Sequence, residues 1–197
     1  VIEDDASTRE AIEQLIAPAG YRVESFASAE AFLNAYRPQG PHVLLLDERL
    51  PGMSGSALLR QLHERGQSSP AILVTAYATT PMIVDAMRLG AVNVLDKPCS
   101  ELQLRDSVRM GVEKSQRDYV GNLTQNRVNE QIAKLGQNER EVLQMVLDGV
   151  PNKHIAKQQN VCVRTVEARR SRVYKALGVT SVAELTRLCL QAGFIAE

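Results

Sequence analysis

The chain has 197 residues, with 23 Lys/Arg balanced by 23 Asp/Glu and no Trp. That length holds one large domain or two small ones, either able to bury a core. No apolar run approaches the ~18 residues that a bilayer span needs, and no basic region leads into an apolar stretch and cleavage site. A cytoplasmic protein that does not act in a membrane is therefore expected. Cys99, Cys162 and Cys189 match no zinc or redox spacing, and are expected to be buried or inert thiols in a reducing compartment.

The zero net charge hides an asymmetry. Residues 1–110 carry 10 Lys/Arg against 14 Asp/Glu, 111–131 carry 3 against 3, and 132–197 carry 10 against 6. Between Asn152 and Lys175 seven basic residues face a single acid, Glu167. An acidic half and a basic half suggest two domains with different partners, the second one facing a polyanion.

In chain order, the first half alternates strand-like and helix-like segments. Val1–Ile2, Tyr21–Phe26, Val43–Leu46, Ala71–Thr75 and Val92–Leu95 read as strands bounded by turn residues. The chain opens inside the first of these, so further residues are expected to precede it. Val43–Leu46 and Ile72–Val74 are continuously apolar, as in strands buried on both faces of a parallel sheet. Between the strands lie amphipathic stretches, with capping boxes expected at Ser7-x-x-Glu10 and Ser100-x-x-Gln103. Five such units predict an α/β doubly wound five-stranded parallel sheet over 1–110, with ligands at the carboxyl ends of its strands.

Residues 111–134 read as a linker that could prolong the preceding helix. From Leu135 the pattern is helical only, at Glu139–Asp148, Pro151–Gln158, Thr165–Leu177 and Val182–Gln191. Pro151 suits a first helical turn, Asn160 a left-handed turn, and Ser181-x-x-Glu184 a capping box. A small all-α domain of four helices is expected over 135–197.

The chemistry of the first half gathers at strand ends. Glu3 and Asp4 follow the first strand, Asp47 ends the third, Thr75 ends the fourth and Lys97 follows the fifth. Clustered carboxylates favour a hard cation such as Mg²⁺, and a carboxylate beside it can accept a phosphoryl group. Asp5 is expected to cap a helix or to be solvated, with a metal role as the lesser alternative. The set Glu3-Asp4-Asp5, Asp47-Glu48-Arg49-Leu50-Pro51-Gly52-Met53-Ser54-Gly55, Thr75-Ala76 and Lys97-Pro98 resembles the receiver domain of bacterial two-component response regulators. The resemblance implies strand order 2-1-3-4-5 and phosphorylation of Asp47 by a sensor histidine kinase. It further implies Mg²⁺ on Glu3, Asp4, Asp47 and the Arg49 carbonyl, phosphoryl contacts from Thr75 and Lys97, and a cis Lys97–Pro98 peptide. The family commonly has an aromatic where Val94 stands. The switch and its dimerisation would then rest on Thr75, on repacking of the Pro81–Leu95 face, or on Tyr77.

In Thr165–Leu177, Val166, Val173 and Leu177 share one helix face, while Ala168, Ser171, Arg172 and Lys175 face away. A helix with small and basic residues on its free face suits the major groove, and the helix before it completes a helix-turn-helix. Glu139-Arg140-Glu141-Val142-Leu143, Asn152-Lys153-x-Ile155-Ala156, Arg164-Thr165-Val166-Glu167 and Lys175-Ala176-Leu177-Gly178-Val179 resemble the LuxR-type output domain. With the receiver, the chain looks like the FixJ/NarL class. By that resemblance Lys153, Arg164, Thr165, Arg169, Arg172 and Lys175 contact phosphates, and Glu167, Ala168 and Ser171 lie where base edges are read. Gly136 and Cys162 stand where Ser/Thr caps are usual, and Arg169 where many relatives have His.

The expectation is a regulator, not an enzyme, that binds double-stranded promoter DNA as a homodimer once phosphorylated and could contact RNA polymerase. One rival is a constitutive DNA binder with a receiver used only for dimerisation. The other is an aspartate-nucleophile phosphatase, which would want an acid at position 49.

Overall fold

A computed structural model describes residues 1–67 and 69–195. The chain divides into two compact units, Val1–Tyr119 and Val120–Glu197.

In the first unit the elements run α1 (Ala6–Ile16), α2 (Ala29–Ala35), β1 (Leu44–Asp47), α3 (Gly55–Glu64), β2 (Ala71–Thr75), α4 (Thr80–Arg88), β3 (Ala91–Asp96) and the start of α5 (Glu101–Ala133). The strands form one parallel sheet in the order β1-β2-β3, with Leu46 opposite Leu73 and Leu73 opposite Val94. Five regular strands were expected, and among the described residues three form. The other two positions survive as parallel bridges from Ile2 to Phe26 on one side and to Leu46 on the other. Hydrogen bonds still flank Ile2, from its amide to the Leu45 carbonyl and from Asp47 to its own carbonyl. The lateral order Phe26, Ile2, β1, β2, β3 is the expected 2-1-3-4-5.

The sheet is covered on both faces. Leu44, Leu46 and Leu73 point to one side and pack with Phe32, Leu58, Leu59, Leu62 and Ala86 of α2, α3 and α4. Leu45, Ile72 and Val74 point to the other and meet Ile16 of α1 and Leu104 and Val108 of α5. This alternation explains the unbroken apolar runs. Each fully buried Leu or Ile contributes about 1.5–3 kcal/mol.

Two of the expected capping boxes do not form as such. At α1 the expected Asp5 cap forms instead of the Ser7 box: the Asp5 carboxylate accepts from the Thr8 amide at 2.7 Å and from the Ser7 hydroxyl at 2.6 Å. Ser100 and Gln103 form the reciprocal pair expected at α5. At α9, Ser181 accepts from the Glu184 amide, but the Glu184 carboxylate returns to Thr180.

In the second unit α6 (Gln137–Leu147), α7 (Asn152–Gln158), α8 (Val163–Leu177) and α9 (Val182–Gln191) enclose one apolar cluster. The four helices are joined by the end of α5, whose Val128 and Ile132 are buried in that cluster. Most of the expected linker is thus helix. Pro151 sits at the N-cap of α7 rather than in its first turn, and Asn160 takes the left-handed conformation at φ 51°. Gly136 and Cys162 supply no side-chain cap.

Of the thiols, Cys189 is buried, Cys99 is half-buried and Cys162 is exposed. Cys162 is not buried, and a hydrogen bond from the Thr165 hydroxyl and amides at the start of α8 hold its thiol below the usual range. No described helix is long and apolar enough to cross a membrane.

Candidate functional site

Asp47 is the last residue of β1, Thr75 the last of β2, and Lys97 follows the end of β3. Glu3 follows the Ile2 bridge. All four lie at the carboxyl edge of the sheet, as its parallel direction requires. Asp47 is 7% exposed, Glu3 4% and Thr75 1%, while Asp4 is exposed.

The Lys97 ammonium lies 2.8 Å from Asp47 Oδ2 and 3.1 Å from Glu3 Oε2. Burial alone would lower the Lys97 pKa, but its hydrogen bonds to the two carboxylates prevail and the net shift is upward. Burial pushes Glu3 above the usual carboxylate range, with the charge of Asp47 adding to it against the opposing pull of Lys97. Asp47 Oδ1 accepts the Arg49 amide at 3.2 Å, so both oxygens of the expected acceptor are oriented. The Thr75 hydroxyl accepts the Tyr77 amide at 3.1 Å, and the Thr75 carbonyl accepts the Lys97 amide at 2.7 Å. The Lys97–Pro98 peptide is cis.

Oxygens of Glu3, Asp4 and Asp47 come within 4.8 Å of one another. An all-oxygen, all-carboxylate donor set could hold a hard divalent cation. Glu48 does not join it, because its carboxylate accepts the Ser56 amide and hydroxyl, both at 2.8 Å. Its carbonyl accepts the Gly55 amide at 3.2 Å. Gly55 has no room for a side chain, since a Cβ there would press on the Asp47 carbonyl oxygen and lie 2.9 Å from Leu73.

The Arg49 guanidinium sits 4.5 Å from the centre of the exposed Tyr77 ring. Val94 is half-buried and packs into the core on the α2–α4 side. Three residues that frame this pocket were not legible from sequence. The Glu30 carboxylate accepts the Met53 amide at 3.0 Å, Glu48 is tied to α3, and Arg9 reaches carbonyls before α1. Glu30 acts across 23 residues, so no local pattern marks it.

In the second unit Val166, Val173 and Leu177 of α8 are buried as the helical wheel predicts. Lys153, Arg164, Glu167, Ala168, Ser171, Arg172 and Lys175 are exposed; Thr165 and Arg169 are half-buried. Two of the expected phosphate contacts have protein partners. Arg169 donates to Gln159 at 2.5 Å, and Gln159 in turn donates to Glu141. Arg172 pairs with Glu139 at 3.1 Å, while the other oxygen of Glu139 accepts the Gly136 amide. Arg170 ties α8 to Asn152 of α7.

Comparison with known proteins agrees with this division. Residues 1–109 match the response regulator receiver domain model, and residues 127–189 match that of the bacterial regulatory proteins of the luxR family. The transcriptional regulatory protein FixJ of Azorhizobium caulinodans is 36% identical over 98% of this chain and 92% of its own. FixJ of Rhizobium meliloti is 32% identical over 98% and 95%. Among solved structures, the response regulator StyR covers 95% of this chain and 94% of its own at 35% identity, with a TM-score of 0.81. Full-length FixJ from B. japonicum covers 99% and 96% at 30% identity, with a TM-score of 0.57.

Proposed function

The chain belongs to the bacterial response regulators that join a receiver domain to a LuxR-type DNA-binding domain, and we propose that Asp47 is where this one accepts its phosphoryl group. It is a FixJ-like regulator of transcription under phosphorylation control. The observation that supports Asp47 is its buried carboxylate, held by Lys97 on one oxygen and the Arg49 amide on the other, beside Glu3, Asp4 and Thr75.

In this reading an Asp47 oxygen forms the new O–P bond as the N–P bond of a kinase phosphohistidine breaks, and the electron pair leaves with the imidazole. Lys97 and the Thr75 hydroxyl receive phosphoryl oxygens. Glu3, Asp4, Asp47 and the Arg49 carbonyl are the groups that would hold Mg²⁺, and their oxygen donors fit it. When bound, the cation offsets charge on the transferred group. Position 49 carries Arg where a phosphatase would need an acid, so Asp47 accepts stoichiometrically rather than turning over.

The phosphorylated receiver pairs with a second copy through the Pro81–Met110 face, where Ile83, Val84 and Met87 of α4 are exposed. With Val94 in the place of an aromatic, Thr75 and Tyr77 carry the change to that face. Two copies of α8 then enter successive major grooves, with Ala168, Ser171 and Glu167 toward base edges and Lys153, Arg164, Thr165 and Lys175 toward phosphates. Arg169 and Arg172 join them from their tethered positions. A dimer so placed works in the cytoplasm, on the nucleoid, and within reach of RNA polymerase.

The test compares three states of the full chain: untreated, with beryllofluoride and Mg²⁺, and the same treatment of Asp47→Asn. Dimerisation by sedimentation and promoter binding by footprinting should rise only in the second state. Equal behaviour in all three would overturn Asp47 as the control point.

A further inference from the structure

The acidic turn presents a geometric problem. Consecutive residues of an extended strand point to opposite sides, yet Glu3 and Asp4 both bring a carboxylate oxygen to Asp47. The chain must therefore turn sharply after Ile2. Such a turn leaves its carbonyls outside the ladder, and among the described residues no backbone amide of the sheet or α1 reaches the Glu3 or Asp4 carbonyl. Arg9 does. From the end of the first turn of α1, its Nη1 reaches back to donate to the Glu3 carbonyl at 2.7 Å and the Asp4 carbonyl at 3.2 Å. The backbone that carries this half-buried side chain is fixed by the helix start. The Arg9 amide donates to the Asp5 carbonyl at 3.0 Å, and Asp5 caps the same helix through Thr8.

We propose that Arg9 is a positioning residue of the cation site, and that its forked contact with two successive peptides makes the Glu3 and Asp4 carboxylates converge on Asp47. This deepens the reading of the pocket given above and rests on it. The arrangement works against simple electrostatics. A fixed positive charge beside three carboxylates should repel a dication, so a guanidinium would be disfavoured here if it contributed charge alone. Its value lies in direction: the two N–H bonds of Nη1 are fixed in the guanidinium plane and reach two carbonyls along set lines, whereas the donors of a shorter-reaching ammonium rotate freely.

That opposition gives the test its sign. Mg²⁺ is titrated calorimetrically into the full chain as wild type, Arg9→Gln, Arg9→Lys and Asp4→Asn, with far-UV circular dichroism and apo melting as fold controls. Arg9→Gln removes a repelling charge, and Arg9→Lys keeps the charge but loses the fork. Positioning predicts that both weaken Mg²⁺ binding, by about tenfold or more as for other groups that orient metal ligands, at unchanged circular dichroism. Unchanged or tighter binding in Arg9→Gln overturns the proposal, as does wild-type affinity in Arg9→Lys. If Arg9→Gln fails to fold, Arg9→Lys decides alone. A flat wild-type titration would overturn the cation site itself, and this inference with it; wild-type binding that Asp4→Asn abolishes and the Arg9 variants retain overturns only the role of Arg9.

Discussion

Arg172 of α8 and Glu139 of α6 are joined across the output unit, with Nη1 3.1 Å from Oε1 and the arginine side chain still 66% exposed. Glu139 thus holds one of the cations that the helical wheel turns toward DNA. Being exposed, the pair adds little to folding, roughly 0.2–1 kcal/mol. Its effect falls on binding, because a paired arginine displaces fewer counterions. Glu139→Gln should tighten binding to a duplex of arbitrary sequence. It should also steepen the dependence of log affinity on log salt by about one unit. Fluorescence anisotropy across a salt series reads both, and an unchanged slope would show that Arg172 already engages phosphate fully.

The same carboxylate gives the output unit an acid-sensitive tie. The Gly136 amide, and then Arg172, hold Glu139 below its ordinary value of 4.5. A carboxylate depressed in the folded state stabilises above its unfolded pKa, and that contribution is lost as pH falls through the folded value. Melting of the second unit should therefore drop as pH is lowered from 4.5, with a shallower slope in Glu139→Gln. Parallel slopes for the two proteins would exclude Glu139 as the source.

Gly55 tests how tightly α3 is seated behind Asp47. A Cβ there meets the Asp47 carbonyl, which is backbone and cannot swing aside as a side chain could. Gly55→Ala should destabilise the receiver by about 1–3 kcal/mol, as overpacking does. Gly40→Ala is the control, since nothing lies within 4 Å of its added carbon, and it should stay within about 0.5 kcal/mol. Urea titrations followed by circular dichroism compare the two.

The Arg49 guanidinium, two residues after the acceptor in sequence, packs over the exposed Tyr77 ring. Exposed contacts of this kind are worth about 0.5–1 kcal/mol, or roughly two- to fivefold in a rate. Arg49→Ala should admit water and shorten the phosphorylated lifetime by about that factor. Loss of the phosphoryl group after desalting, followed by intact mass, measures it. A longer lifetime would mean that Arg49 assists hydrolysis rather than shielding.

β1 and β2 were legible because strands covered on both faces need apolar residues at every position, as Leu44–Leu46 and Ile72–Val74 supply. The first two strand positions keep the expected lateral order but are joined by isolated parallel bridges, Ile2 to Phe26 and Ile2 to Leu46, rather than by a ladder. Ser7 was taken for a cap, but the carboxylate two residues earlier receives the Thr8 amide and the Ser7 hydroxyl as well. The acids and the lysine of the pocket were readable because a parallel sheet delivers every strand end to one edge. Their supports were not. A helical wheel gives the direction of the Cα–Cβ bond, whereas Arg169 and Arg172 are long enough to turn back to Gln159 and Glu139. Glu30 and Arg9 likewise act on backbone atoms, which leave no mark on residue type.

The diversion of Glu48 onto Ser56 sets the valence of the pocket. Asp47 and Glu48 are adjacent at a strand end and point apart, so one carboxylate enters and the other is spent on α3. Among the side chains that meet in the pocket, with the Arg9 charge set apart on the Glu3 and Asp4 carbonyls, Glu3, Asp4 and Asp47 against Lys97 leave three formal negative charges and one positive, a balance of −2. One dication neutralises that balance, whereas a monovalent ion leaves it half unmet. Had Glu48 turned inward as well, the balance would be −3, and no single common divalent ion would close it.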